Sequence, residues 1–111
     1  MARSKFCEML TLTLDDFKEV RARIAGHIKH TPLLTSRQLS ERTGFDVRLK
    51  AEVFQRVGSY KIRGPLNKFA LMPEEQKRRG VVCSSAGNHA QGVARAARLT
   101  GHRATIFMPA A

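Results

Sequence analysis

The chain has 111 residues and a formal net charge of +11, with 42% hydrophobic and 26% charged residues. This length supports one small hydrophobic core and is short for a two-domain enzyme, and the composition is typical of an ordinary globular protein. Because no apolar run approaches the roughly 20 residues that cross a bilayer, a membrane-spanning helix is excluded. Cys7 and Cys83 lie far apart and match no metal or redox spacing, so we expect reduced thiols in a cytoplasmic protein that binds no metal in this segment.

The strong basic balance makes a small nucleic-acid-binding module an alternative. The densest basic run, however, is only Lys77 to Arg79, beside Glu74 and Glu75 in a predicted short helix. No interleaving of aromatic and basic residues, zinc-finger spacing or RNP-like pattern accompanies it. A solvated basic surface is therefore favoured, and we expect no nucleic-acid partner and no membrane partner.

Two helices are predicted in the first 45 residues. Thr13 and Asp16 resemble a capping box, and apolar residues then recur at helical spacing, which predicts a helix over 14–29. Ser36 can cap a second helix, which Gly44 can end in the left-handed conformation.

The middle of the chain predicts a strand and two further helices. Residues 46–53 alternate between polar and apolar, as a half-buried strand does. A helix is predicted over 61–72, with Pro65 in its first turn, where a missing N–H costs little. Pro73 opens a short helix that ends at Gly80. The apolar residues on one face of the 61–72 helix are Ile62, Leu66 and Phe69.

The last third of the chain predicts a strand, a long helix and a second strand. VVCSS, residues 81–85, is a short apolar strand, Gly101 ends the helix, and residues 104–109 indicate a buried strand. Strand, helix and strand at this spacing predict a parallel pair in an α/β sheet. The small apolar residues on one face of the helix are Ala90, Val93, Ala94 and Ala97.

One lysine lies in an unusual setting, the stretch GSYKIRGP from Gly58 to Pro65. Lys61 would stand near a helix N-terminus, where the dipole and partial burial favour the neutral amine. A neutral amine is what a lysine needs in order to attack an aldehyde. Spacing alone does not distinguish this lysine from a surface residue.

The stretch SSAGNHAQG, Ser84 to Gly92, lies between a predicted strand and the start of a helix. The free N–H groups of such a first turn, together with the helix dipole, attract a carboxylate or phosphate. Gly87 permits close backbone approach, and the neighbouring polar side chains add hydrogen-bond partners. These side chains are Ser85, Asn88 and Gln91.

The two motifs together carry a resemblance to a known family. KAEVFQRVGSYKIRGPLNKF (50–69), followed by VVCSSAGNHAQGVA (81–94), resembles the N-terminal part of fold-type II pyridoxal-phosphate enzymes, specifically the threonine/serine dehydratase group. HTPLLTSRQLS (30–40) resembles the stretch that these enzymes place upstream. The resemblance implies an α/β fold like that of the tryptophan synthase beta subunit, a three-layer parallel-sheet architecture that is incomplete here. It assigns residues 1–66 to the large cofactor domain, with the Schiff-base lysine, and 67–111 to the start of a small substrate-binding domain.

The resemblance also implies site residues and pyridoxal 5'-phosphate as the cofactor. Lys61 would bind the cofactor covalently and act as the catalytic base, Tyr60 would pack near the cofactor plane, and Asn88 would bind the ring hydroxyl. Ser85, Asn88 and His89 would hold the carboxylate of an amino-acid substrate. The residues expected to support the motif geometry are Ser59, Arg63, Gly87 and Gln91.

The residue before the Gly-Asn pair of the second motif favours one reaction of this family over another. Serine racemases resemble this motif but carry a serine directly before the Gly-Asn pair, where this chain has Ala86. A methyl group delivers no proton to the second face, so the resemblance implies β-elimination from L-threonine or L-serine to a 2-oxo acid and ammonia. Racemase, threonine synthase and β-replacement activities are the alternatives. Because the glycine-rich phosphate loop of the family is missing, we expect the 111 residues alone to be inactive, and the full-length protein to form a homo-oligomer.

Overall fold

A computed structural model describes residues 12–110. The strands are β1 (Leu33–Thr35), β2 (Arg48–Lys50), β3 (Val81–Ser84) and β4 (Ala104–Phe107). The α-helices are α1 (Leu14–Ile24), α2 (Arg37–Thr43), α3 (Arg63–Ala70), α4 (Glu74–Arg79) and α5 (Asn88–Thr100). Short 3-10 turns cover Ala25–His27, Glu52–Phe54 and Tyr60–Ile62. Cys7 lies outside the described residues, and Cys83 is a free, half-buried thiol.

The predicted helix caps are confirmed. Asp16 Oδ2 accepts from Thr13 N at 2.7 Å, and Asp16 N donates to Thr13 Oγ1 at 3.3 Å, so α1 begins with a full capping box. Ser36 Oγ accepts from Leu39 N at 3.4 Å, and Gly44 ends α2 at φ 75°. These local signals act within four residues, which is why the sequence is sufficient to find them. Among residues 12–110, no helix is long and apolar enough to cross a bilayer.

The parallel strand pair is confirmed, and a second, antiparallel pair appears. β3 pairs with β4 from Val81 opposite Ala104 to Ser84 opposite Phe107, and α5 connects them. β1 has no counterpart among the predicted strands, yet it pairs antiparallel with β2. The strand predicted over 46–53 is confirmed only for β2. All three β2 residues are exposed, so the predicted half-burial is wrong, because the β1–β2 ribbon contributes no side chain to the core.

The β3–β4 pair is covered on one face within the described residues. Val81, Cys83 and Ile106 pack against the core, whereas Val82 is 70% exposed and Phe107 is 61% exposed. The strand predicted over 104–109 is confirmed for 104–107, but its predicted burial is wrong, since Ile106 alone in β4 is partly buried. The reason is that a strand in a parallel sheet is buried by helices on both faces, and here α5 covers one of them.

The core lies mainly between α3 and α5. Ile62, Leu66 and Phe69 are buried on one face, as predicted. The face of α5 differs from the prediction: Ala94 is exposed and Ala96 is fully buried. The face is rotated because α5 packs against the Tyr60–Ile62 turn as well as against α3. The other members of the buried cluster are Ile24, Met72, Val93 and Ala97.

The division into two domains at 66/67 stays a prediction. Helix α3 runs through that position, and its buried residues on either side of the division join the same cluster. Within the described residues, then, the two segments share a core.

Candidate active site

Lys61 lies in the middle of the Tyr60–Ile62 turn, which leads directly into α3. Ser59, which is buried, caps this turn, and its Oγ accepts from Lys61 N at 3.4 Å. Lys61 itself is half-buried, while Ile62 is completely buried in the core. The backbone is thus anchored before Lys61 by Ser59 and after it by Ile62, whereas Lys61 itself is only half-buried.

The Lys61 side chain lines a cavity of about 480 Å³ between α3, β3 and α5. This volume is in the range of small-molecule and cofactor sites. The amine lies 5.1 Å from the centroid of the Tyr60 ring, so this ring is its aromatic neighbour. His89 lines the same cavity from α5. The remaining wall is mostly apolar and includes Phe69, Val81, Cys83 and Val93.

Arg63 points away from this cavity and binds a carboxylate that the sequence analysis does not predict. Its Nε donates to Glu52 Oε2 at 2.9 Å and its Nη2 donates to Glu52 Oε1 at 2.8 Å. Thr31, which is buried, donates its hydroxyl to Glu52 Oε1 at 2.5 Å. The hydrogen bonds from Arg63 and then Thr31 outweigh burial and lower the pKa of Glu52 to about 2. Glu52 is the only acidic residue between Asp46 and Glu74, which is a sequence signal that could have identified it.

The junction between β3 and α5 supplies hydrogen-bond donors. Ser85 Oγ accepts from Gly87 N and from Ala90 N, each at 3.3 Å. These bonds leave the N–H groups of Asn88 and His89, at the first two positions of α5, without a partner in residues 12–110. A hydroxyl that accepts two bonds still has one proton to donate. The junction therefore offers two backbone N–H groups and one hydroxyl to an anion.

The structure brings some of the predicted site residues together and leaves others apart. Lys61, Tyr60 and His89 share one cavity. Ser85, Asn88 and Gln91 lie at the β3–α5 junction and do not line that cavity. Asn88, His89 and Gln91 are exposed, whereas Ser85 is half-buried.

Comparison with protein families agrees with the family that the two motifs resemble. The family described as "Pyridoxal-phosphate dependent enzyme" matches residues 24–111. The chain belongs to this family. Membership confirms pyridoxal phosphate as the predicted cofactor and confirms the α/β fold class.

Individual relatives are similar over most of this chain. The L-threonine ammonia-lyase of Thermotoga maritima is 51% identical over 98 residues, which is 88% of this chain and 24% of that protein. The L-threo-3-hydroxyaspartate ammonia-lyase of Saccharomyces cerevisiae is 42% identical over 91% of this chain and 31% of its own length. The chain thus spans a quarter to a third of the curated relatives that it matches.

Solved structures are similar in fold. Maize serine racemase aligns with a TM-score of 0.78 and 41% identity, covering 88% of this chain and 31% of the racemase. The crystal structure of a T.th. threonine deaminase aligns with a TM-score of 0.73 and 44% identity over the same shares. The family's members that resemble this chain therefore include both lyases and racemases.

The residues present fit the cofactor. A lysine amine, the group that binds an aldehyde, opens into a cavity of suitable volume. An aromatic ring lies beside that amine, and unpartnered N–H groups lie at the start of a helix on the neighbouring wall. Lys61 and Tyr60 are the residues of this cavity that would hold it, and the role expected of Asn88, at the neighbouring junction, stays a prediction.

Proposed function

We propose that the chain is part of a lyase that removes the β-hydroxyl of L-threonine or L-serine and releases a 2-oxo acid and ammonia. One observation carries the proposal: the Lys61 amine shares a cavity with His89, which lies in the anion-attracting first turn of α5. Similarity to the Thermotoga maritima L-threonine ammonia-lyase supports this reaction over others in the family.

Lys61 has two tasks in this proposal. Its amine would bind the aldehyde of pyridoxal phosphate, and it becomes free again when the substrate's own amine takes its place on that carbon. The freed amine then takes the proton from the substrate α-carbon. The bound cofactor supplies an electron sink for the carbon that loses this proton. The anchored backbone at Ser59 and Ile62 fixes where the amine can reach, which is what a base of this kind requires.

The start of α5 orients the substrate. The free N–H groups of Asn88 and His89 and the hydroxyl proton of Ser85 bind the carboxylate. The positive end of the α5 dipole adds to this attraction. Held in this way, the amino acid presents its α-carbon toward Lys61.

The remaining predicted residues orient the cofactor or support the site. The Asn88 side chain would bind the ring hydroxyl of the cofactor, and the Tyr60 ring would pack against the cofactor ring. Ser59 caps the turn that carries Lys61, and Arg63 ties the start of α3 to Glu52. Gly87 and Gln91 shape the first turn of α5, where Gln91 N donates to Gly87 O at 3.4 Å.

Serine racemisation is the second candidate, because maize and Dictyostelium discoideum serine racemases align with TM-scores of 0.78 and 0.79. Racemisation needs an acid on the face opposite Lys61. Ala86, the residue before Gly87, offers only a methyl group there. This difference favours elimination.

A chimeric enzyme tests the proposal. In it, this chain replaces the aligned 98-residue stretch of the Thermotoga maritima enzyme, so that the rest of the site is supplied. We expect 2-oxobutanoate from L-threonine, and a fall of about 10²–10⁴-fold in turnover in Lys61→Ala. Lys18→Ala, on the exposed surface of α1, is the matched control. Retained turnover in Lys61→Ala, or D-serine in place of a 2-oxo acid, would overturn the proposal.

A further inference from the structure

Gly92 of helix α5 lies directly against the peptide of Lys61. A Cβ atom placed on Gly92 would lie 2.3 Å from the Lys61 carbonyl oxygen, 2.7 Å from its carbonyl carbon and 3.2 Å from Ile62 N. Non-bonded carbon atoms prefer separations of about 3.5–4.0 Å. The Cβ atom of position 92 would clash with backbone atoms of Lys61 and Ile62, so the rotation of a side chain would not relieve the clash.

Gly92 differs from the other glycines of the chain. Four of them, Gly44, Gly58, Gly80 and Gly101, have positive φ and serve turns or helix ends. Gly92 instead lies inside a helix, as Gly64 does, but a Cβ at Gly64 would meet nothing within 4 Å. Glycine inside a helix costs about 1 kcal/mol relative to alanine. Gly92 is also buried, so the glycine gives the helix no advantage in solvation. What glycine provides at position 92 is room for α5 to approach the Lys61 backbone closely.

The contact joins the two halves of the proposed site. On one side is the peptide whose side chain carries the Lys61 amine. On the other side is α5, in which Asn88 lies four residues before Gly92, about one turn or roughly 6 Å along the axis. The separation between the Lys61 backbone and the anion-binding N–H groups is therefore set where Gly92 meets Lys61.

We infer that Gly92 is a positioning residue for Lys61, holding the amine at working distance from a substrate carboxylate bound by the first turn of α5. This inference rests on the proposed function. A methyl group at position 92 must move α5 or the Tyr60–Ile62 turn by on the order of 1 Å to reach van der Waals contact. A displacement of this size lowers the rate of a positioned reaction about 10²-fold.

The test compares Gly92→Ala with Gly26→Ala in the chimeric enzyme. A Cβ at Gly26 has nothing within 4 Å, so this substitution adds the same methyl group without a clash. Turnover is divided by the amount of cofactor that borohydride fixes on Lys61, so that only loaded sites count. We expect turnover per loaded site to fall about 10²-fold in Gly92→Ala and to stay unchanged in Gly26→Ala.

A purely structural role gives a different result. Gly92→Ala would then yield fewer loaded sites, each with unchanged turnover, and this outcome would overturn the inference. An unsubstituted chimera that lacks lyase turnover would instead count against the proposed function. If Gly92→Ala does not fold, a crystal structure of the unsubstituted chimera is the second measurement. The inference requires Gly92 Cα in contact with the Lys61 carbonyl, and a gap wide enough for a methyl group contradicts it.

Discussion

Arg63 and Glu52 form a two-pronged ion pair, with N–O distances of 2.9 and 2.8 Å, two residues beyond Lys61. The pair ties the first residue of α3 to the 3-10 turn that follows β2. Thr31 adds a third hydrogen bond to the same carboxylate, so one acidic side chain connects three segments of the chain. The start of α3, two residues after Lys61, is thereby tied to Glu52 and, through it, to Thr31.

Replacing Glu52 should make the protein less stable at neutral pH and less sensitive to acid. The folded-state pKa of Glu52 is about 2, below its ordinary value of 4.5, so its contribution is full above about pH 5 and is lost as the pH falls toward 2. Glu52→Gln should lower the free energy of unfolding by about 1.5–3 kcal/mol at pH 7. The difference from the unsubstituted protein should shrink between pH 5 and pH 2, as measured by urea unfolding across that range.

Asp46→Asn is the control for this measurement. Asp46 pairs with Arg48 at 2.8 Å, but both side chains are more than half exposed, and such pairs contribute little. A pH-independent difference between Glu52→Gln and the unsubstituted protein would contradict the assignment of the Glu52 pKa.

Ser85→Ala should weaken substrate binding more than it slows chemistry. The substitution removes the hydroxyl donor proposed for the carboxylate and the acceptor for Gly87 N and Ala90 N. We expect KM for L-threonine in the chimera to rise about tenfold with a smaller change in kcat, and stability to fall by about 1 kcal/mol. Ser84→Ala, which removes a hydroxyl with no hydrogen bond in residues 12–110, should change neither. Equal KM values for the two variants would argue against carboxylate binding by Ser85.

Ala86→Ser should introduce racemisation. The new hydroxyl would supply the proton donor that the second face lacks. Chiral chromatography of reactions with L-serine should show D-serine from Ala86→Ser and none from the unsubstituted chimera. Formation of D-serine by the unsubstituted chimera would mean that another group serves that face and would favour the racemase alternative.

The 111-residue chain alone should bind pyridoxal phosphate weakly and turn over no substrate. Its cavity opens beside apolar side chains that are left exposed, such as Val82 and Phe107. We expect no stable stoichiometric absorbance band when cofactor is added to this chain, and a stable band in the chimera. A stoichiometric band with the isolated chain would show that these residues suffice.

Local features of the fold are predictable from the sequence, and contacts between distant segments are not. The capping box at Thr13 and the left-handed ends at Gly44 and Gly101 depend on residues within one helical turn. β1 (LLT) shows no alternation, so the sequence contains no signal for it. The alternation over 46–53 predicts too long a strand at β2, because it continues past Lys50 into the Glu52–Phe54 turn.

The candidate site likewise has residues that the sequence identifies and residues that only the packing reveals. Lys61 and the Ser85–His89 turn are identifiable because two motifs carry a family resemblance in the right order. Glu52 as the partner of Arg63, and Gly92 against the Lys61 peptide, depend on how α3, α5 and the turns pack. A single chain gives no direct signal for such pairs, since each residue alone has many ordinary reasons to be present.

The role of Lys61 is tested most directly by finding the residue to which the cofactor attaches. The chimera is loaded with pyridoxal phosphate, reduced with borohydride and digested, and the labelled peptide is identified by mass spectrometry. We predict one label per chain, on Lys61, and its loss in Lys61→Ala. A label on Lys68, the other lysine that lines the cavity, would show that Lys61 does not bind the cofactor. An undiminished label in Lys61→Ala would show the same.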